Sequence, residues 1–160
     1  MTRLLCLPPI IDERARVLIL GSFPSEASLA ARQYYAHRQN QFWRVLAAIL
    51  GQPLVEAEYA ARQVAVKAAG LAIWDVYATC ERQGSLDTAI RAGAPNCFET
   101  LKRLAPELAR ICFNGRTAAK FAPALGTSGY EVVVLPSTSP ANAGWSFERK
   151  LEVWRQALLR

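Results

Sequence analysis

Residues 18–44, LILGSFPSEASLAARQYYAHRQNQFWR, restrict the fold more than any other stretch of the chain. Val17 to Leu20 are four consecutive apolar residues that stop at Gly21, a pattern that suits a strand covered on both faces and hence a buried parallel sheet. A Gly/Ser/Pro turn follows at once. Ligands of open α/β sheets bind beyond the carboxyl ends of the strands, so Gly21, Ser22, Phe23, Pro24 and Ser25 are candidates for the rim of a pocket. Gly and Pro also punctuate any strand-to-helix corner, which is the plainer reading of the same residues. After a polar loop, Asn40 precedes Phe42, Val45, Leu46, Ile49 and Leu50, an i, i+3, i+4, i+7, i+8 stripe that ends at Gly51. The spacing predicts an amphipathic helix with Asn40 near its start, where an amide can serve as an N-cap. The loop before it is less easily explained by solvation alone. Two tyrosines, the one histidine of the chain, an arginine and several amides crowd into Tyr34 to Gln41.

The rest of the chain alternates between apolar runs and helical patterns. Residues 56–69 are rich in Ala and good helix formers and close at Gly70. LAIWDVYATC, residues 71–80, predicts a second strand running into a loop, with Trp74, Asp75 and Tyr77 near its carboxyl end. Asp75 is the first carboxylate to suspect of chemistry, and equally a brace for the strand-to-loop junction. Asp87 reads as the start of a short helix over residues 86–91. Asn96 with Glu99 three residues on has the form of a helix start. Ile111 to Phe113 predict a short strand, a turn at Asn114 and Gly115, and a helix carrying Arg116 and Lys120. Glu131 to Leu135, with three consecutive valines, predict a central buried strand ended by Pro136. Residues 147–158 form an amphipathic helix with Phe147, Leu151, Trp154 and Leu158 inward. Strands interleaved with helices in this way indicate an α/β fold with a parallel sheet between helical layers. We find no linker or repeat, so residues 1–160 are expected to form a single domain.

Charge and cysteine usage narrow the function. The net charge of +6 favours a polyanionic partner, because each neutralised phosphate releases counterions. The basic residues are spread along the chain, which makes this a modest argument. Cys6, Cys80, Cys97 and Cys112 form no close pair and have no histidine at metal-ligand spacing, so free, mostly buried thiols are expected, with no metal and no iron–sulfur cluster. The apolar part of the first 17 residues is interrupted by Pro8, Pro9 and Asp12, too early for a signal peptide or a membrane span. A cytoplasmic protein without a membrane partner is expected, with Pro8 and Pro9 fixing an extended lead-in to the first strand.

Four segments, GSFPS at 21–25, YYAHRQNQFWR at 34–44, WDV followed by CERQGSLD at 74–87, and LPSTSPAN at 135–142, resemble the uracil-DNA glycosylase superfamily and, within it, the hypoxanthine-DNA glycosylase branch. Three or more ordered motifs at compatible spacing form a specific signal, and the similarity runs from about Arg16 to the last helix. The resemblance implies a three-layer α/β/α sandwich with a central four-stranded, mainly parallel sheet. It implies a monofunctional enzyme, acting as a monomer without cofactor, on DNA containing deaminated bases. Such an enzyme extrudes the nucleotide, encloses the base, and hydrolyses the N-glycosidic bond.

Carried onto this chain, the resemblance gives each motif a role. Phe23 stands where many relatives carry a water-handling Asp or Asn, and in the hypoxanthine branch the Asn of the N-x-F-W series does that work, which here is Asn40. An amide cannot take a proton as a carboxylate does, so Asn40 would orient water and stabilise charge. Gly21, Ser22, Phe23, Tyr35, His37 and Asn114 would line the base pocket, with Tyr35 stacked on the base and His37 as a neutral donor or phosphate contact. Ser25, Ser137, Thr138, Ser139 and Asn142 would meet the DNA backbone or groove. Simpler readings stand beside these: a core or surface histidine for His37, a turn residue for Asn114. Arg38 replaces the usual Pro after the histidine, and the 137–143 loop lacks the large apolar wedge that several relatives insert into the duplex. A non-catalytic damage-binding relative is the main alternative. A small-phosphate-binding α/β module ranks below it, since neither G-x-x-x-x-G-K nor G-x-G-x-x-G is present.

Overall fold

The alternation of inward and outward side chains along the apolar runs divides the interior of the protein into two cores. In the computed structural model, which describes residues 2–159, strand β2 (Val17–Gly21) is buried along its whole length. It lies second in a four-stranded sheet of order β3 (Leu71–Asp75), β2, β6 (Arg110–Asn114), β7 (Glu131–Leu135). All three pairings are parallel. Val17, Ile19, Leu71, Ile73 and Cys112 point to one face, where they meet helices α2 (Phe42–Leu50), α3 (Tyr59–Ala68) and α6 (Phe147–Leu159). Leu18, Leu20, Ala72, Trp74, Ile111 and Phe113 point to the other, beneath α4 (Leu101–Leu104) and α5 (Ala122–Thr127). The expected α/β/α sandwich around a four-stranded parallel sheet is therefore present. Trp154 is the largest fully enclosed side chain of the first core, and Phe113 is fully enclosed in the second.

Three sequence expectations need correction. Residues 71–80 do not form one strand. The chain breaks at Val76, whose N–H binds Gly21 O at 2.8 Å, and Tyr77 to Glu81 become β4 of a separate antiparallel ribbon, order β1 (Arg3–Leu5), β4, β5 (Arg91–Pro95). Strand β7 is not central but lies at the edge, with Val134 54% exposed; β-branched residues suit an edge as well as an interior, so composition alone could not place it. Asn96 does not cap a helix: its Nδ2 donates to Asp75 O at 2.7 Å, tying the ribbon to the end of β3. A short helix, α1 (Glu26–Ala31), occupies part of the predicted polar loop, capped by Ser25, whose Oγ accepts Ser28 N–H. Directly after Pro8 and Pro9, Ile10 bridges Ile73 in antiparallel fashion on the outer side of β3. None of the helices among the described residues is long and apolar enough to cross a membrane. The cysteines are free thiols, two of them buried, although Cys97 is exposed.

The chain runs from β2 to β3 on one side and later returns to β6 on the other. That reversal opens a crevice beyond the carboxyl ends of β2 and β6, the place where such sheets bind ligands.

Candidate active site

A cavity of about 450 Å³ fills this crevice, within the range of about 300–1,000 Å³ usual for small-ligand sites. Its floor is the end of β2, where a Cβ on Gly21 would come within 2.6 Å of Asp75 Oδ1 and 3.0 Å of the Tyr35 hydroxyl. Only a residue without a side chain lets both groups converge there. Ser22, almost buried, donates its hydroxyl to Asp87 Oδ1 at 2.6 Å. Phe23 is also buried in the wall, with the Arg82 guanidinium 5.3 Å above its ring. Arg82 in turn donates to Pro24 O, fixing the turn from behind.

The two tyrosines separate by conformation. Tyr34 is a rivet: its hydroxyl reaches Leu7 O and Pro8 O, both at 3.0 Å, and its carbonyl accepts Trp43 Nε1–H. Tyr35 adopts φ 55°, an uncommon left-handed backbone for an aromatic residue, and its ring lines the cavity, stacked on Phe42 with centroids 3.9 Å apart and 14° between planes. Its hydroxyl accepts Asn114 Nδ2–H at 3.2 Å. Burial, with Asp75 nearby, pushes the Tyr35 phenol well above its ordinary value, so it stays neutral.

Asn40 lines the cavity ahead of α2. Its Oδ1 accepts Phe42 N–H at 2.9 Å, so the structural role foreseen for it exists, as an Asx-type turn two residues before the helix proper. The same bond orients the amide, and Nδ2 has no partner among the described residues. Arg38 is exposed; backbone bonds hold the loop, with Asn40 N–H donating to His37 O at 3.0 Å and Gln41 N–H to Thr138 O at 3.0 Å. Lys150, wholly buried on α6, donates to Gln41 Oε1 at 2.8 Å and anchors the residue next to Asn40. His37 lines the cavity, with Nδ1 accepting Gln39 N–H, an arrangement that leaves Nε2–H as its free donor.

The loop after β7 closes the far side. Thr138, expected at the DNA, is fully buried: its N–H and Oγ1 both bind the Asn114 amide, at 3.0 Å each. Burial keeps it from a phosphate. Ser137 and Ser139 are half-buried and line the cavity, where their hydroxyls accept Ser139 N–H and Ala141 N–H. Asn142 turns inward, Nδ2 to Ser137 O at 3.0 Å, and so braces the loop. Ser25 is half-exposed at the cavity, its hydroxyl committed to the cap of α1.

The structure thus gathers Gly21, Ser22, Phe23, Tyr35, His37, Asn40 and Asn114 around one space, together with two carboxyl groups: Asp75, suspected from the sequence of either chemistry or a bracing role, and Asp87, expected only to begin a short helix. Asp75 is 3% exposed, and burial, reinforced by the charge of Asp87 and only partly offset by Arg82, raises its carboxyl to about 7. An acidic residue closing a wholly apolar strand at its carboxyl end was the available signal. No group of three or more His, Cys, Asp or Glu is placed to hold a metal among the described residues.

Comparison with known proteins agrees with this geometry. Residues 8–158 match the family model of the uracil DNA glycosylase superfamily. The chain is 39% identical over 153 residues to a protein of Methanosarcina barkeri named hypoxanthine DNA glycosylase, spanning 96% of each chain. It is 40% identical over 145 residues to a protein of the same name from Methanosarcina acetivorans, covering 91% of this chain and 92% of that one. The solution NMR structure of a Methanosarcina acetivorans protein described as a candidate uracil DNA glycosylase superposes with a TM-score of 0.89 at 37% identity, over 98% and 97% of the two chains. With the match running through every element that builds the cavity, this chain belongs to the uracil DNA glycosylase superfamily.

Proposed function

We propose that the cavity receives a deaminated base extruded from DNA and that Asn40 is central to its removal. By family the chain is a DNA glycosylase, a hydrolase of N-glycosyl bonds acting on deaminated bases. Hypoxanthine is the first substrate to consider, since two relatives at about 40% identity carry that name, with uracil beside it. One observation carries the catalytic reading: a single space at the carboxyl ends of β2 and β6 brings together an aromatic ring and two oriented side-chain amides, those of Asn40 and Asn114.

Cleavage breaks the bond between C1′ and the base nitrogen and builds positive charge on the sugar as the base departs. Asn40 holds one Oδ1 lone pair on Phe42 N–H, and the second accepts a water proton while the oxygen of that water faces C1′. This positions the nucleophile and stabilises the sugar cation without taking the proton in the ground state. Tyr35 offers its ring to the base, backed by Phe42. Asn114 fixes the Tyr35 hydroxyl and the 137–139 backbone at once, setting the width of the slot. Ser137 and Ser139, whose hydroxyls keep their donors, stand at the rim for the flanking phosphates, and the chain acts as a cytoplasmic monomer needing no cofactor.

The test is base release from duplexes carrying deoxyinosine, deoxyuridine, deoxyxanthosine or no lesion, with Asn40→Ala in parallel. Release of hypoxanthine or uracil that falls at least 10²-fold in the variant, with duplex binding kept, is expected. Tight binding with no release from any duplex would mean a damage-recognising protein in place of an enzyme.

A further inference from the structure

The hydrolysis derived above leaves one buried group of the cavity without a task. Asp75 ends β3 inside the wall, and its two oxygens differ. Oδ2 is enclosed with no hydrogen-bond partner among the described residues. Oδ1 projects over Gly21 toward the Tyr35 hydroxyl, at the floor of the cavity. Nothing cationic forms an ion pair with it among the described residues. Arg82 is also buried, yet its own contact is to Pro24 O, and its Nε and Nη1 have no partner. A structural brace would engage its oxygens. The backbone of Asp75 does so, accepting Asn96 Nδ2–H at 2.7 Å, while the carboxyl does not. An enclosed carboxyl without cation or donors holds its proton, and a proton-bearing carboxyl at the wall of a ligand cavity is a hydrogen-bond donor awaiting an acceptor.

We propose that Asp75 is a second catalytic group of this site, touching the extruded base and passing its proton to it as the glycosidic bond opens. The proposal rests on the glycosylase reading above. The C1′–N bond breaks with its electron pair left on the base. The Asp75 O–H proton goes to a ring nitrogen or exocyclic oxygen of that base, which leaves neutral. The water held by Asn40 bonds to C1′, its surplus proton passes to solvent, and Asp75 regains a proton from solvent once the product has gone. The sum is water plus the nucleotide giving an abasic site and free base. The acceptor this requires, a lone pair on the edge of the base facing β3, is present on hypoxanthine, xanthine and uracil alike, so the group assists departure more than it selects among them.

The surroundings fit a group that titrates near neutrality. Asp87, from the 3₁₀ turn Asp87–Ala89, adds negative charge, and Arg82, just past β4, partly opposes it. Tyr35 faces Asp75 from the loop before α2, and Tyr34 and Cys6 lie close enough for its charge to raise their own values. The remaining titratable group of the cavity is His37, which must be separated experimentally.

The experiment is single-turnover excision from a deoxyinosine duplex by the full chain between pH 5 and 9, for the wild type, Asp75→Asn, Asp75→Ala and His37→Gln. The wild-type rate should hold below about pH 7 and fall toward tenfold per unit above it. Asp75→Asn keeps a donor of the same shape but no transferable proton, so its rate should drop about 10–100-fold and lose the alkaline fall; Asp75→Ala should drop about 10²–10⁴-fold. His37→Gln should retain the alkaline fall. Binding of the inosine duplex, followed in the same variants, should persist and establishes that they are folded. An alkaline fall that survives in Asp75→Asn or vanishes in His37→Gln overturns the proposal, as does a rate that rises with pH, or an Asp75→Asn enzyme within threefold of wild type throughout. Wild-type protein that releases no base from any duplex sinks the glycosylase reading itself, a result distinct from these.

Discussion

Asn114 and Thr138 close a ring through one amide: Oδ1 accepts Thr138 N–H and Nδ2 donates to Thr138 Oγ1, both at 3.0 Å. The bonds are buried and join the end of β6 to the loop after β7. Gly115, at φ 98°, lets that loop pass so close that an added Cβ would lie 3.1 Å from Ser137 Cβ. Asn114→Ala strands two buried Thr138 groups, so a stability loss of about 1–3 kcal/mol is expected. Base release should fall further than in Tyr35→Phe, because the same amide holds the backbone of the 137–139 loop as well as the Tyr35 hydroxyl. Thermal unfolding and single-turnover excision measure the two effects. Thr138→Val, which leaves the backbone bond and removes the hydroxyl, should cost less on both counts.

Gly21→Ala tests how tightly the cavity floor is built. The methyl group would meet Asp75 Oδ1 at 2.6 Å and the Tyr35 hydroxyl at 3.0 Å, and both belong to enclosed parts of the structure. Overpacking of this kind costs about 1–3 kcal/mol. Because the displaced groups face the base, excision should suffer more than folding does. A variant with near wild-type turnover would show that the floor yields freely.

Tyr35 separates the ring from the hydroxyl. Tyr35→Phe keeps the stack on Phe42 and loses only the acceptor for Asn114 Nδ2, so activity within about tenfold of wild type is expected, in line with one neutral hydrogen bond. Tyr35→Ala removes the aromatic surface, and base stacking worth about 1–3 kcal/mol should disappear from kcat/KM, a 5- to 150-fold loss. Equal effects of the two substitutions would place the importance in the hydroxyl instead.

Asp75 also leaves a mark on stability. Its carboxyl lies at about 7 in the folded chain against an ordinary 3.8, so the native state holds the proton more tightly than the unfolded state does. The stabilisation this provides is complete below pH 3.8 and is lost as pH rises toward 7. Asp75→Asn does not titrate. The stability of the variant relative to wild type should therefore improve by on the order of 2–4 kcal/mol between pH 4 and pH 8. Paired chemical unfolding curves at the two pH values measure the difference, and a constant offset would mean that the carboxyl is ionised or hydrated in the fold.

Sequence made the main sheet legible because its apolar runs are long and unbroken: Val17–Gly21 needs covering on both faces, and no other arrangement supplies that. The helix after Asn40 was equally plain from its 3.6-residue stripe. The antiparallel ribbon was not, since β1 has three residues, paired with Thr79, Cys80 and Glu81 far along the chain, and β5 reads Arg-Ala-Gly-Ala-Pro, mostly small residues with no strand preference. Motif residues such as Tyr35, Asn40 and Asn114 could be assigned to one site because resemblance carried them together. Thr138 was misplaced at the DNA because a hydroxyl in a Ser/Thr/Pro loop does not announce burial. Asp75, suspected of chemistry from its place at a strand end, could not be told from a brace, and Arg82 escaped altogether: the consequence of each lies in what it lacks, a partner, which only three dimensions reveal.

The cavity has two walls built from different parts of the chain. One is the rigid edge of the parallel sheet; the other is the 82–87 segment slung from the ribbon, joined to the first by Ser22–Asp87, Glu26 to Gly84 and Ser85, and Arg82–Pro24. Mutations in that second wall change the shape offered to the base while both hydrophobic cores remain intact. A fold divided in this way can drift from one damaged base to another by small steps, keeping its stability as it goes, and the slung segment is where a laboratory selection for new lesions would gather its substitutions.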